Sequence, residues 1–216
     1  MLKDEQIVWA IHQMEDDIGP VGSSLDARTP FQFLISVILS AQATDVSVNK
    51  VTPTLFAKYP NPAALMVADV GDVETIIKSV GLFHNKAKNI IKTARIVHEN
   101  LNDVVPTDRK GIMALPGAGR KTANVVLSDV FGQETFAVDT HVSAISKRLH
   151  FVEQSASPLQ VENKIVSVLN PAELHQAHHT MIEYGRKYSM KLAPEKEVCQ
   201  LIIDCDKLNE ENEAEI

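Results

Sequence analysis

The sequence predicts an all-α protein, on three observations. Apolar residues recur at helical spacing in one segment after another. Most of these segments open at a proline or at a residue that caps helix N-termini, and several close at glycine. Convincing β alternation is missing, since Thr135-Phe136-Ala137-Val138 is too short to make a strand.

The elements follow in order. Ile7, Ala10, Ile11 and Met14 set the first helical stripe. Phe31 to Ala41, just after Pro30, is apolar almost throughout and reads as a helix buried on all sides. Val46 to Lys58 follows, with Thr44 or Asp45 as its cap. Val70, Val73, Ile76 and Ile77 make a further stripe, closed by Gly81. Lys86 to His98 carries Ala87, Ile90, Ile91, Ala94 and Val97 on one face. Thr122 to Phe131 stops at Gly132, and Asp139 caps a helix that aligns Val142, Ile145 and Leu149. Pro158 to Leu169 and Pro171 to Tyr188 both start at prolines. Segments Ser79–Lys92 and Leu115–Val126 each read as helix, glycine turn, helix, a likeness too weak to be a repeat.

At 216 residues the chain can make one large domain or two small ones. Its 44% hydrophobic and 23% charged content is ordinary for a globular protein. Apolar stretches such as Phe33 to Leu39 are far short of a bilayer span, and residues 1–17 are amphipathic and acidic, with no signal-peptide core. A cytoplasmic location and no membrane partner are expected. A net charge of −7 argues against nucleic-acid binding by bulk charge. The acidity is uneven, however. Glu210, Glu211, Glu213 and Glu215 crowd the last residues, and 210–216 is expected to be a disordered tail. Basic residues gather at Lys86, Lys88 and Lys92, at Arg109 and Lys110, at Arg120 and Lys121, at Lys147 and Arg148, and at Arg186 and Lys187. Steering depends on such patches and not on the total.

The most informative stretch is Leu115-Pro116-Gly117-Ala118-Gly119-Arg120-Lys121-Thr122-Ala123-Asn124-Val125-Val126. An apolar run stops at Pro116, turns through two glycines, and restarts as a helix. Such a turn either joins two helices in an ordinary hairpin or presents bare N–H groups that hold phosphate without reading a base. The new helix carries Lys121 in its first turn, where a cation opposes the helix dipole. Dipole and partial burial would favour the neutral, nucleophilic amine.

The string Leu-Pro-Gly-x-Gly-x-Lys-Thr-Ala resembles the helix–hairpin–helix of the DNA glycosylase superfamily, and Asp139 in Phe136-Ala137-Val138-Asp139-Thr140-His141-Val142 resembles its catalytic aspartate. Further stretches resemble one family, endonuclease III: Leu39-Ser40-Ala41-Gln42-Ala43-Thr44-Asp45, Val80-Gly81-Leu82-Phe83-His84-Asn85-Lys86-Ala87, His178-His179 and Tyr184-Gly185-Arg186. The resemblance runs from about Ile7 to Cys205.

The resemblance implies roles. Lys121 attacks C1′ of the damaged nucleotide and expels the base. A Schiff base forms with the opened sugar, and β-elimination cuts the strand on its 3′ side. Asp139, which is also a natural N-cap, stabilises positive charge at C1′ or accepts a proton. Gln42 fills the gap left by the flipped nucleotide and Leu82 wedges beside the orphaned base. Leu82, His84 and Lys86 belong to the minor-groove loop. Gly117, Gly119 and Arg120 belong to the phosphate-holding hairpin, and Lys191 to a basic C-terminal loop. These residues, with Gln42, form the expected DNA-binding set.

The chain departs from that family in one respect. Endonuclease III proteins mostly carry an iron–sulfur cluster on four cysteines spaced C-x6-C-x2-C-x5-C. This chain has 2 cysteines, Cys199 and Cys205, which fit the last two places; Ser189 and Lys196 stand in the first two. Four thiolates are the usual requirement, so no cluster and no other metal is expected. If the segment between the cysteines is helical, a rise of ~1.5 Å per residue puts their Cα atoms beyond disulfide reach. Val198, Leu201, Ile202 and Leu208 then supply apolar contacts instead.

The expected architecture is a two-lobed helix–hairpin–helix DNA glycosylase with a DNA-binding cleft between the lobes. Residues 24–132 form the lobe with the hairpin, and 1–23 plus 133–209 form the second. The expected activity is a bifunctional glycosylase and abasic-site lyase, acting as a monomer on oxidised pyrimidines or abasic sites in duplex DNA. Two alternatives stand beside it: a monofunctional glycosylase of the same superfamily, which lacks the lysine, and a non-catalytic DNA-structure-binding module.

Overall fold

The structure, a computed structural model, describes residues 1–188 and 200–214. No strand occurs among them. The chain divides into two compact units, Ser24–Gln133 and Met1–Ser23 with Glu134–Ile216.

In the unit Ser24–Gln133 the centre is α2 (Pro30–Ser40), whose residues Phe31 to Leu39 are all buried. Thr29 Oγ1 accepts from Gln32 N at 3.2 Å and Pro30 fills the first turn, so cap and proline set the start together. Around α2 pack α3 (Asp45–Lys58), α6 (Phe83–Leu101) and α8 (Arg120–Phe131). Two short helices lie against α6: α4 (Pro62–Met66), which periodicity does not announce, and α5 (Val70–Ile76), which carries the stripe read from Val70, Val73 and Ile76. A third, α7 (Arg109–Met113), packs on α8 and is tied to it where Arg109 Nε donates to Asn124 Oδ1 at 2.9 Å.

The other unit is built on α1 (Asp4–Ile18), which packs against α10 (Pro158–Val168), α11 (Leu174–Lys187) and α12 (Gln200–Ala214). Helix α9 (Thr140–Arg148) packs on α10 and α11. The core joins Ile7, Ile11 and Met14 to Phe136, Phe151, Ile145 and Met181. A 3₁₀ turn, Pro171–Glu173, precedes α11, so the helix expected from Pro171 begins slightly later.

One expectation is corrected here. The tail expected to be disordered is helical as far as Ala214. Asn212 is buried, and its amide donates to Met1 O at 3.1 Å and Gln6 Oε1 at 2.8 Å. Further back on α12, Leu201, Ile202 and Cys205 enter the core, and Asp206 accepts from both Arg148 nitrogens at 2.8 and 3.1 Å and meets His150 Nε2 at 2.8 Å. The Arg148 guanidinium holds the Asp206 carboxyl below its ordinary range. Glu210, Glu211 and Glu213 therefore ride on a helix whose other side is anchored.

Candidate active site

The hairpin is held from beneath. Leu115 and Ala118 are buried, and Ala118 N donates to Leu115 O at 3.1 Å, closing the turn. Gly117 has φ +82, the left-handed region that glycine tolerates best, and a Cβ there would lie 3.0 Å from Ile38 Cγ2 and 3.1 Å from Asn89 Nδ2. Thr93 Oγ1, fully buried, donates to Pro116 O at 2.9 Å. Asn89 and Thr93, on one face of α6, are supports that sequence reading missed. Their signal was a polar residue recurring at helical spacing inside an apolar face.

Gly119 is glycine for another reason. Its φ of −96 suits any residue, and a Cβ there would meet nothing within 4 Å. It is the N-cap of α8 and provides no side-chain cap. The bare amides at the start of α8 thus look out through open space, the arrangement that receives an anion. Lys121, next but one, is exposed and makes no hydrogen bond or ion pair among the described residues. The partial burial expected of it is not observed.

The same feature marks the loop at Leu82, expected from the sequence to enter the minor groove. Leu82 is the N-cap of α6, has φ 59 and ψ 30, and cannot cap with its side chain. The other five helices of this unit are each capped by a side chain: Thr29, Thr44, Asn61, Asp69 and Asp108. The two uncapped N-termini are those of the two motifs.

Leu82 is 57% exposed, an apolar side chain presented to solvent from a left-handed backbone. Gln42 also has positive φ, 54, and is exposed. Left-handed backbone costs a non-glycine residue on the order of 1 kcal/mol, and such strain collects at binding sites. The two loops are neighbours, since a Cβ on Gly81 would lie 3.5 Å from Gln42 O. His84 is exposed and its Nδ1 meets Glu74 Oε1 at 2.9 Å. Arg120 starts α8. Lys86 departs from the expected DNA-facing set: it is 4% exposed and its Nζ is enclosed, so it is not placed to touch a phosphate. Burial pushes its ammonium down from the ordinary lysine range. Lys191, Ser189, Lys196 and Cys199 lie outside the described residues.

In the other unit Asp139 is the N-cap of α9. Its Oδ1 accepts from Val142 N at 2.8 Å. It lines a depression of about 460 Å³ together with Thr140, Ser143 and Lys147. Nearby, Gly185 lets α11 approach α9, because a Cβ there would lie 3.1 Å from His141 Cβ and from Ile145 Cδ1. The Tyr184-Gly185-Arg186 stretch thus has a packing role behind the Asp139 helix.

Comparison with known proteins agrees with this geometry. Residues 35–171 match the model of the HhH-GPD superfamily of base excision DNA repair proteins. The chain is 38% identical over 205 residues to endonuclease III of Bacillus subtilis (strain 168), covering 95% of this chain and 94% of that one. The chain belongs to the endonuclease III family. Its fold matches a non-covalent endonuclease III–DNA complex with TM-score 0.92 at 40% identity, covering 99% of this chain and 100% of that one. It also matches a trapped covalent endonuclease III–DNA intermediate with TM-score 0.89 at 42% identity, covering 93% and 94%. Members of this family are base-excision repair enzymes with DNA glycosylase and abasic-site lyase activity, and duplex DNA is their partner.

Proposed function

We propose that this member of the endonuclease III family removes oxidised or ring-saturated pyrimidines and cleaves abasic sites through a Schiff base on Lys121. The observation that carries the reading is the start of α8, where an exposed lysine with no partner among the described residues follows an uncapped N-terminus opened by Gly119. A lysine there does nothing for the helix, since the dipole disfavours it. A phosphate received at the bare amides brings a sugar within its reach.

In the proposed sequence the Lys121 amine attacks C1′ and the glycosidic bond breaks, its electron pair leaving with the base. The amine loses a proton and the sugar ring opens to an iminium. Loss of the C2′ proton then breaks the C3′–O bond, and water hydrolyses the imine to restore the amine. Asp139 would act in the first step. The cap occupies its Oδ1, and the second carboxylate oxygen is the one that would stabilise positive charge at C1′ or take the amine's proton. Gln42 and Leu82 would fill the stack once the nucleotide is extruded, and Gly117, Gly119, Arg120 and His84 would hold the strand. Borohydride reduces the imine and tests the scheme. The wild type should give a covalent protein–DNA adduct and Lys121→Ala none; no adduct with wild type would overturn it.

We also read this member as lacking the four-iron cluster, and its donors do not fit one. The whole chain offers 2 cysteine thiolates. One of them, Cys205, is 0% exposed within an apolar core that holds α12 beside Ile202. The Asp206–Arg148 pair and Asn212 anchor the same helix. Protein purified anaerobically should be colourless at about 400 nm, and stoichiometric iron and sulfide would refute the reading. No helix among the described residues is long and apolar enough to cross a membrane, and we place the enzyme with its DNA in the cytoplasm.

A further inference from the structure

The DNA-binding residues expected from the sequence all lie in Ser24–Gln133, except Lys191, which lies outside the described residues. The other unit bears Asp139 and, in the same depression, a cation that the proposed chemistry leaves unused. Lys147 lines that depression of about 460 Å³ together with Asp139, Thr140, Ser143 and Pro158. Asp139, Ser143 and Lys147 recur every four residues, so they follow one another along one side of α9. At a rise of ~1.5 Å per residue, Asp139 and Lys147 stand roughly 12 Å apart along the helix axis. That is the span of about three to four phosphates of one strand along a duplex. The small side chains of Ser143 and Ala144 keep the depression open between its two charged ends.

Lys147 is half-buried, and its Nζ makes no hydrogen bond or ion pair among the described residues. Its neighbour in the basic pair differs, since Arg148 is tied to Asp206. A lysine in the last turn of a helix suits the dipole. The dipole does not require this one, because Arg148 already supplies a cation to the same turn.

We propose that Lys147 is a phosphate-binding residue for the damaged strand. Its ammonium holds a backbone phosphate within about four nucleotides of the lesion, and so lays the strand along α9 with the reacting sugar at Asp139. The proposal rests on the reading of Asp139 as the carboxylate at C1′. Such a contact positions the strand and reads no base.

The test is equilibrium binding to a duplex with one tetrahydrofuran abasic-site analogue, which cannot form a Schiff base. Log affinity falls with log salt in proportion to the phosphates neutralised, by about 0.9 for each. Lys147→Gln should reduce that slope by about 0.9 and weaken binding about tenfold at low salt, while Lys147→Arg keeps the wild-type slope. Thermal stability should be unchanged. A methylphosphonate, which removes the charge of one phosphate, is then moved stepwise along the damaged strand. At one position within about four nucleotides of the analogue it should weaken the wild type as much as Lys147→Gln does, and cost that variant nothing more. An unchanged slope, a slope that Lys147→Arg fails to keep, or losses that add at every position would overturn the proposal. Excision by Asp139→Asn separates the premise. If that variant excises at the wild-type rate, the reading of Asp139 fails; if it is impaired and Lys147→Gln keeps the slope, the Lys147 proposal alone fails.

Discussion

Two helix starts carry the proposed chemistry and are built in opposite ways. Helix α9 begins at Asp139, whose carboxylate closes its own first turn. Helix α8 begins at Gly119, which closes nothing, and follows it with a cation that its dipole repels. The first start is stable by itself and has one oxygen left over for another task. The second is complete only when an anion arrives from outside. A cap and an anion site use the same orphan amides, so a helix can have one or the other.

Five substitutions at four positions probe this contrast. Lys121→Ala should have the largest effect, cutting strand cleavage on the order of a thousandfold or more while leaving thermal stability unchanged. A loss of stability in that variant would mean that the lysine belongs to the fold. Asp139→Asn and Asp139→Ala separate the two duties of one side chain. Asn keeps the cap, so stability should change little, yet excision should fall about a hundredfold. Ala should lose the same activity and about 1 kcal/mol of stability in chemical denaturation. If Asn is fully active, Asp139 is a cap alone.

Gly119→Asp converts the open start into a capped one. The backbone permits it, and the new side chain enters empty space. Stability should rise by a few tenths of a kcal/mol, while affinity for duplex DNA drops about tenfold in a binding titration, more at low salt than at high. Unchanged affinity would break the anion-site half of the contrast. Asp206→Asn is the smallest and concerns stability alone. Its depressed carboxyl stabilises the fold at neutral pH, and that contribution is lost as pH falls through its folded-state value. The pair is partly exposed, so Asp206→Asn should cost about 1 kcal/mol at neutral pH. It should narrow to nothing in acid, as followed by thermal unfolding across pH.

Most of the fold was legible because its signals are local. Thr29-Pro30 followed by the apolar run to Leu39 announces both the start and the burial of α2. Asp139 reads as a cap from sequence and is one. The hairpin was legible too, through Pro116 and its two glycines. What stayed hidden depends on tertiary contact. Lys86 reads as a DNA-facing lysine, and only the packing of α6 on its neighbouring helices buries it. Gln42 and Leu82 have no glycine or asparagine character to announce a left-handed backbone. Residues 210–214 carry a composition typical of disorder, and one buried amide on Met1 and Gln6 shows them docked instead. Short helices α4 and α7 span too few residues for periodicity to register.

The discontinuous unit bears on how the protein is made. Helix α1 is translated ahead of Ser24–Gln133, yet the helices that cover its apolar face, α10, α11 and α12, are translated after it. Ser24–Gln133 is contiguous and can gather its core while synthesis continues. Ile7, Ile11 and Met14 meanwhile wait uncovered until α11 emerges, so a helix translated before the contiguous unit finds its place after it.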